Sequence, residues 1–421
     1  SQRTSISSFS IRGEGRGSVS ANVAALGWAR LDGASSLLVQ FMIPVDHPFT
    51  LDGMLDSLHA GEASAQVSFY MTWWDVTTGN LQTYYRESAS SAIEQDGEVM
   101  LQKSGQIQAH MPVTIQVGGG GSVGITAEGS MAAGASFEFD FDLGDRDGDG
   151  LLDDWETDGI DIDGDGTLEI DLPSYGADPD KKDLFVEIDV MSGVPFGSPA
   201  QDAIYDVIEA FANAPASMVD NPSGGGGINL HVEWDDGDSP STPAPANDAN
   251  LSGNGFPTQF DDIKKASYGS STDRNWTGSP TGTWETDFRP IRLMVFRYCL
   301  WSNSVVNHGK SISGVAELTG NDLVVAAGSV AGWWGTVLRD ALAGTFMHEL
   351  GHTLSLYHGG KGPLEQARIK YKPNYQSVMS YAYQYPRDKM TRNGTNACLL
   401  YTSDAADDRR GVYLWVGGGG G

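Results

Sequence analysis

The sequence predicts a multidomain chain: an N-terminal antiparallel β-sandwich, then an Asp-rich calcium-binding linker, then an α/β (α+β) domain. Three observations predict it. Residues 1 to about 143 carry short alternating runs broken by Gly, Ser and Asn, the period-two pattern of half-buried strands. Seventeen of the 55 acidic residues crowd into residues 144–189, and they are regularly spaced. From about residue 182 the pattern changes to apolar strand-like runs alternating with helical spacing, which gives a layered α/β architecture.

The first region, residues 1–143, includes the runs 37–43, 66–71, 113–117 and 136–141. Thr77-Thr78-Gly79-Asn80, between two aromatic-rich runs, reads as a hairpin turn, and Gly118 to Gly121 reads as a loop. Tyr70, Trp73, Trp74, Tyr84 and Tyr85 offer either a sugar-stacking platform or ordinary cross-strand pairs. The first option would give this domain a polysaccharide or cell-surface ligand.

Residues 144–181 read as an EF-hand-like calcium-binding segment on the spacing of their acids. Asp145, Asp147, Asp149, Gly150, Leu151, Asp153 and Glu156 fall at positions 1, 3, 5, 6, 7, 9 and 12 of a twelve-residue loop, with Leu151 offering its carbonyl. Crowded carboxylates repel one another unless a hard cation sits among them, and Ca²⁺ takes all-oxygen ligands. A second copy runs through Asp161, Asp163, Asp165 and Glu169 but has Leu172 at position 12, with Asp171 or Asp158 as substitutes. Calcium bound here would stiffen the joint to the region that follows.

In residues 182–395, strands are expected at 183–191, 228–234, 291–300 and 321–327, and a helix at 200–214 with Ile204, Val207, Ile208 and Phe211 on its apolar side. Residues 235–285, rich in Gly, Ser, Pro, Asp and Thr, read as a surface insertion. A long helix from about Trp334 to Leu356 buries Phe346, Met347, Leu350 and Leu354. That helix carries His348-Glu349-x-x-His352. Its two imidazoles leave one face a turn apart and can close on one Zn²⁺ at about 2.0–2.1 Å per bond. Glu349 is placed to reach a water on the metal rather than the metal, and His358, six residues after His352, suits a chain turning back beneath it. Three histidines and a water make an open catalytic site rather than a closed structural one. His231 and His308 read as satisfied or surface histidines, and Cys299 as a buried thiol.

Ser377-Val378-Met379-Ser380-Tyr381 follows about twenty residues on. Together with the histidine motif it resembles the metzincin clan of zinc metallopeptidases, H-E-x-x-H-x-x-G-x-x-H followed by a methionine turn, and most closely the astacin and serralysin type. The resemblance spans roughly residues 182–390. It implies Zn²⁺ on His348, His352 and His358, Glu349 as general base, Met379 as an apolar floor below the metal, and Tyr381 stabilising the oxyanion. It also implies that the fourth strand edges the cleft and pairs with an extended protein or peptide substrate. The clan's glycine is Ser355 here, at the point where the helix ends in a left-handed turn, and Gly359-Gly360 follow His358.

Net charge is −29, which argues against nucleic acid and against docking to anionic membranes, and no apolar run of 18 residues exists to insert into one. Two cysteines, Cys299 and Cys398, make no disulfide framework. Acidity with scarce cysteine suits a secreted bacterial protein, and equally a high-salt setting. The chain opens inside a strand-like region, as a mature form or a fragment would, and residues 396–421 read as a non-native tail resembling a translated sequencing adapter. The expectation is a secreted zinc-dependent endopeptidase using Zn²⁺ for catalysis and Ca²⁺ for structure. Its rivals are a calcium-stabilised adhesin or carbohydrate-binding protein with a vestigial metal site, and a zinc hydrolase of cell-wall peptide or another amide.

Overall fold

The computed structural model describes residues 2–385 apart from short stretches, the longest being 235–247 and 250–257; for nearly all of residues 2–35 it describes the backbone alone. The 396–421 tail, Cys398 and His308 lie outside the described residues. The chain divides into two compact units, Ser1–Asp145 and the residues from Arg146 onward.

The first unit is all β. Its strands are β1 (Gln2–Ile6), β2 (Ser10–Val23), β3 (Ala29–Phe41), β4 (His47–Ala60), β5 (Ala63–Asp75), β6 (Asn80–Ser91), β7 (Gly97–Ile107), β8 (Val113–Ile125) and β9 (Gly129–Asp142). They form two antiparallel sheets, β1-β2-β9-β4-β7 and β3-β8-β5-β6. Alternation decides which side faces in: Ala65, Val67, Phe69 and Met71 of β5 and Phe137, Phe139 and Phe141 of β9 are buried. The sheets meet through aromatic pairs, with Phe69 edge-on to Phe139 at 5.3 Å and Phe41 against Phe141 at 5.5 Å. Each such ring contributes about 1.5–3 kcal/mol by leaving water.

One expectation fails in this unit, and one of two alternatives is not met. Gly118 to Gly121 is not a loop: these residues pair with β3 and β5 inside β8. A Cβ on Gly119 would stand 3.1 Å from the Cβ atoms of Val67 and Ala135, so glycine there permits a close approach rather than a turn. The five aromatics also do not share one platform. Trp73 packs on Tyr84 at 5.8 Å, Tyr84 on Phe49 at 6.1 Å, and Tyr85 on the buried Phe69 at 6.2 Å. Tyr70 and Trp74 point to the opposite face of β5, where the Arg86 guanidinium lies 5.1 Å above the Tyr70 ring. Of the expected hairpin turn, Val76 to Thr78 lie outside the described residues, while Gly79 (φ 67°) donates to Asp75 and the flanking strands pair.

The second unit begins with short helices α1 (Asp153–Asp158) and α2 (Leu172–Tyr175). It continues through β10 (Asp183–Val190), α3 (Ala200–Ala212), β11 (Asn229–Trp234), β12 (Asp248–Ala249), α4 (Thr258–Ser267), α5 (Ser271–Arg274) and α6 (Arg289–Val295). The remaining elements are β13 (Phe296–Ser302), β14 (Ser304–Asn307), β15 (Lys310–Ile312), β16 (Gly314–Ala316), β17 (Asp322–Ala326), α7 (Thr336–Thr353) and α8 (Leu364–Ala367). The main sheet has the order β11-β10-β13-β17-β16, parallel except for the antiparallel edge strand β16. β10, β13 and β17 are almost wholly buried, as parallel strands covered on both faces must be. α7 lies on the face of β13 that carries Trp301, which meets Phe346. α4 covers the other face, where Phe260 and Tyr268 pack edge-on to Tyr298.

Here too the sequence expectations are corrected. Residues 235–285 are not simply a surface insertion, because α4 sends Phe260 and Ile263 into the core, and Tyr268 follows them. The strand expected at 291–300 starts only at Phe296. Pro290, with its fixed φ and no N–H, opens α6 instead, after a π-helical turn at Trp284–Phe288. Arg292 of α6 then ties to the sheet, donating to Glu187 Oε2 at 2.8 Å and Glu233 Oε2 at 3.1 Å. Among the described residues no helix is long and apolar enough to cross a membrane.

Candidate metal centre

The final turns of α7 bring His348 and His352 onto one side, and the chain reverses so that His358 meets them. His352 Nε2 stands 3.1 Å from His348 Nε2 and 3.1 Å from His358 Nε2. Tetrahedral coordination with bonds of 2.0–2.1 Å puts ligand nitrogens about 3.3 Å apart, so the spacing fits one zinc ion. His348 Nδ1 lies 2.8 Å from the Val378 carbonyl and His352 Nδ1 2.7 Å from the Leu356 carbonyl. A carbonyl only accepts, so each Nδ1 carries the proton and each Nε2 turns a lone pair inward. Burial lowers the pKa of all three rings, and repulsion from neighbouring rings adds to this at His348, which falls to about 3, and at His358, which falls to about 4. Neutral imidazoles with inward lone pairs are the form a metal requires.

The turn that delivers His358 has a physical signature. Ser355 adopts φ 68°, the only left-handed non-glycine among the described residues, so serine occupies the conformation glycine would take more cheaply. Leu356 N closes this turn by donating to Gly351 O at 3.0 Å. Beneath the helix lies Met379, 1% exposed, in the turn Ser377–Ser380. A Cβ on Gly351 would stand 2.4 Å from its sulfur, so the methionine packs where a side chain would otherwise project. Tyr381 continues from that turn, its ring 4.5 Å from that of His358 and 5.5 Å from that of His348. Burial raises its pKa, keeping the phenol a proton donor at neutral pH.

Glu349 is 4% exposed, and burial pushes its pKa up to about 8. Its carboxylate is aimed at the edge strand: a Cβ on Gly314 would come within 2.7 Å of Glu349 Oε1, so only glycine leaves room there. The strand bordering the site is therefore β16. β17, expected at the cleft edge, lies inside the sheet with β13 on one side and β16 on the other, and has no free edge for a peptide. The sequence reading missed β16 because three residues of Gly-Val-Ala carry no strand pattern on their own. The Tyr385 hydroxyl also reaches across to Ser313 Oγ, at 2.6 Å, just before this strand.

The acidic loops form separate clusters. Asp145, Asp147 and Asp149 each offer a carboxylate oxygen to one cluster, and Asp149, Glu156 and Asp183 to another, with oxygens within 4.8 Å of one another. Asp183, the first residue of β10, was not legible as a partner, because it lies 27 positions beyond Glu156. Its backbone N–H donates to Asp149 Oδ2 at 2.5 Å, and its carboxylate pairs with His231, which stacks on Phe185; that leaves His231 satisfied, as expected of it. Asp153 is not in either cluster and instead accepts from Arg146 N at 2.9 Å. Leu151 is buried and donates its N–H to Asp149 Oδ1 at 2.7 Å. In the second loop Asp161, Asp163 and Glu169 converge while Asp165 does not join them. Glu169 is held by Ile162 N at 2.6 Å and the Trp276 indole at 3.0 Å. Asp171 serves elsewhere, capping α2 at Ser174 N, and Leu172 is core. Clusters of oxygen donors alone fit a hard cation and do not fit zinc. Cys299 is a free buried thiol whose pKa burial raises, so it holds its proton and takes no part in this chemistry.

No family model matches the chain, and no curated protein matches it. Among solved structures it is similar to an archaemetzincin from Methanopyrus kandleri, at 12% identity over 47% of this chain and 81% of that one, TM-score 0.23. A zinc-dependent peptidase from Methanocorpusculum labreanum aligns at 12% identity over 55% and 96%, TM-score 0.27. The VP2 subviral particle of infectious bursal disease virus aligns at 10% identity over 31% and 37%, TM-score 0.15. Likeness this low assigns neither fold nor activity, and both rest on the geometry of the chain itself.

Proposed function

We propose that the chain is a secreted zinc-dependent endopeptidase. The observation that carries this is the convergence of three imidazoles, with His352 Nε2 standing 3.1 Å from the Nε2 atoms of both His348 and His358 and the outer nitrogens of His348 and His352 held by backbone carbonyls. His348, His352 and His358 would hold the ion. Bound there, Zn²⁺ supplies Lewis acidity, polarising the scissile carbonyl and lowering the pKa of a water toward about 7.

The protein's own residues do the rest. Glu349 accepts a proton from the attacking water and delivers it to the departing amine, and burial, which raises its pKa, makes the ionised carboxylate a stronger base for that transfer. The Tyr381 hydroxyl donates to the oxygen that gains negative charge. Peptide backbone pairs with β16, which has no strand on its outer edge among the described residues, and Gly314 keeps that path clear beside Glu349. Calcium on the Asp149–Glu156–Asp183 cluster would fasten the acidic loop to β10, and millimolar extracellular calcium suits such a site.

The test is hydrolysis of casein or a quenched peptide by zinc-loaded protein. About one zinc per chain, removed by phenanthroline with loss of cleavage, is the expected result. Full cleavage by metal-free protein would sink the reading.

A further inference from the structure

Beside the metal centre the charge of the chain reverses. Net charge is −29 overall, yet from Gln366 to Tyr385 there is no acidic residue, while Arg368, Lys370 and Lys372 stand at alternate positions. Lys372 is occupied, donating to Gly359 O at 3.0 Å. Lys370 is exposed, and its Nζ lies 5.5 Å from the centroid of the Tyr381 ring. Tyr381 is the phenol that packs on His358, so Lys370 borders the space where a scissile bond would lie. Its backbone carbonyl accepts from Tyr381 N at 2.9 Å, which fixes the two residues side by side. Among the described residues no carboxylate pairs with Lys370. The next residue, Tyr371, is 65% exposed with its ring 5.7 Å from that of Tyr381, so the cation sits against an aromatic wall.

We propose that Lys370 selects peptides carrying an acidic side chain next to the cleaved bond. This rests on the peptidase reading and names its substrate class. In a chain this acidic, a carboxylate-bearing peptide is repelled over most of the surface, so a cation beside the metal centre draws it to one place. A glutamate or aspartate there gains an ion pair, and a lysine there meets like charge, which supplies the rejection that specificity needs.

The experiment measures binding apart from turnover. Zinc-loaded Glu349→Gln protein is titrated by fluorescence anisotropy with labelled peptides identical except for Glu or Gln beside the bond that the parent cleaves or, if none is cleaved, at each central position in turn. The Glu peptide is expected to bind about fivefold tighter at low salt, the yield of one exposed ion pair, with the preference fading toward 1 M salt. Adding Lys370→Gln should erase the preference, and Lys370→Glu should invert it. Equal binding of the two peptides, or a preference that survives Lys370→Glu, overturns the proposal. Cleavage by the parent is scored separately. A Lys370-dependent preference without any cleavage supports the role of Lys370 in peptide selection and overturns the peptidase reading, whereas cleavage without the preference does the reverse.

Discussion

The second unit gathers two kinds of candidate ion site from opposite materials. At the end of α7, neutral nitrogens are gathered in a buried place and most of their outer atoms are satisfied by carbonyls, so the site is set before any ion arrives. In the acidic loop, carboxylates converge by backbone turns, with Asp149 Oδ1 accepting from Leu151 N and its Oδ2 from Asp183 N. Those oxygens repel one another, and a cation would relieve that repulsion. The difference teaches what each ion can do. An imidazole centre placed beside a buried carboxylate can run chemistry, whereas an all-oxygen cluster at the head of a strand can only hold the chain in place.

The largest effect should fall on the imidazole side. Glu349→Gln is expected to lower kcat/KM by about 10²–10⁴-fold while zinc content, read by atomic emission, stays near one per chain. Loss of zinc together with activity would give Glu349 a structural task and blur the contrast with the acidic loop. On the carboxylate side the effect should appear in stability alone. Saturating calcium should raise Tm by about 5 °C or more, and Glu156→Gln should cancel most of that rise while zinc produces none of it. A calcium-independent Tm in the parent would remove the acidic loop from the comparison.

These two sites also differ in how they could be read from sequence. The convergence of the histidines was legible because helix periodicity alone places His348 over His352, and that of the acids because an Asp-x-Asp-x-Asp run is a local spacing. What was hidden depends on distant pairing. Asp183 reaches its cluster from the first strand of the sheet, and β16 becomes the cleft edge only through its register with Leu323–Val325. The glycines of β8 misled for a related reason: a missing side chain reads as a turn, whereas here it makes room for Val67 and Ala135. Phe260 and Tyr268 were masked by the Gly, Ser and Asp around them.

Acid sharpens the contrast further. Unfolded histidine takes a proton near pH 6.5, while His348 and His358 resist until about 3 and 4 when folded. The unfolded chain therefore binds more protons below about pH 6.5, so metal-free protein should lose stability as pH falls from there toward 4. Thermal melts of chelated protein across that window check this, and an unchanged Tm would contradict the buried, neutral state of the rings. The smallest effect is at the turn between ligands. Ser355→Gly should stabilise the fold by about 0.5–1 kcal/mol, because it relieves a left-handed serine at some cost in chain entropy. A melt showing destabilisation would mean that the serine side chain outweighs the strain of its backbone.

Gly351 and Met379 together behave as a mechanical key. With the sulfur seated against bare backbone, the helix that carries two ligands and the turn that leads to Tyr381 cannot slide past each other, and a single added methyl, Gly351→Ala, would push them apart. The phenol would then leave the third imidazole although no residue that touches either ring had changed.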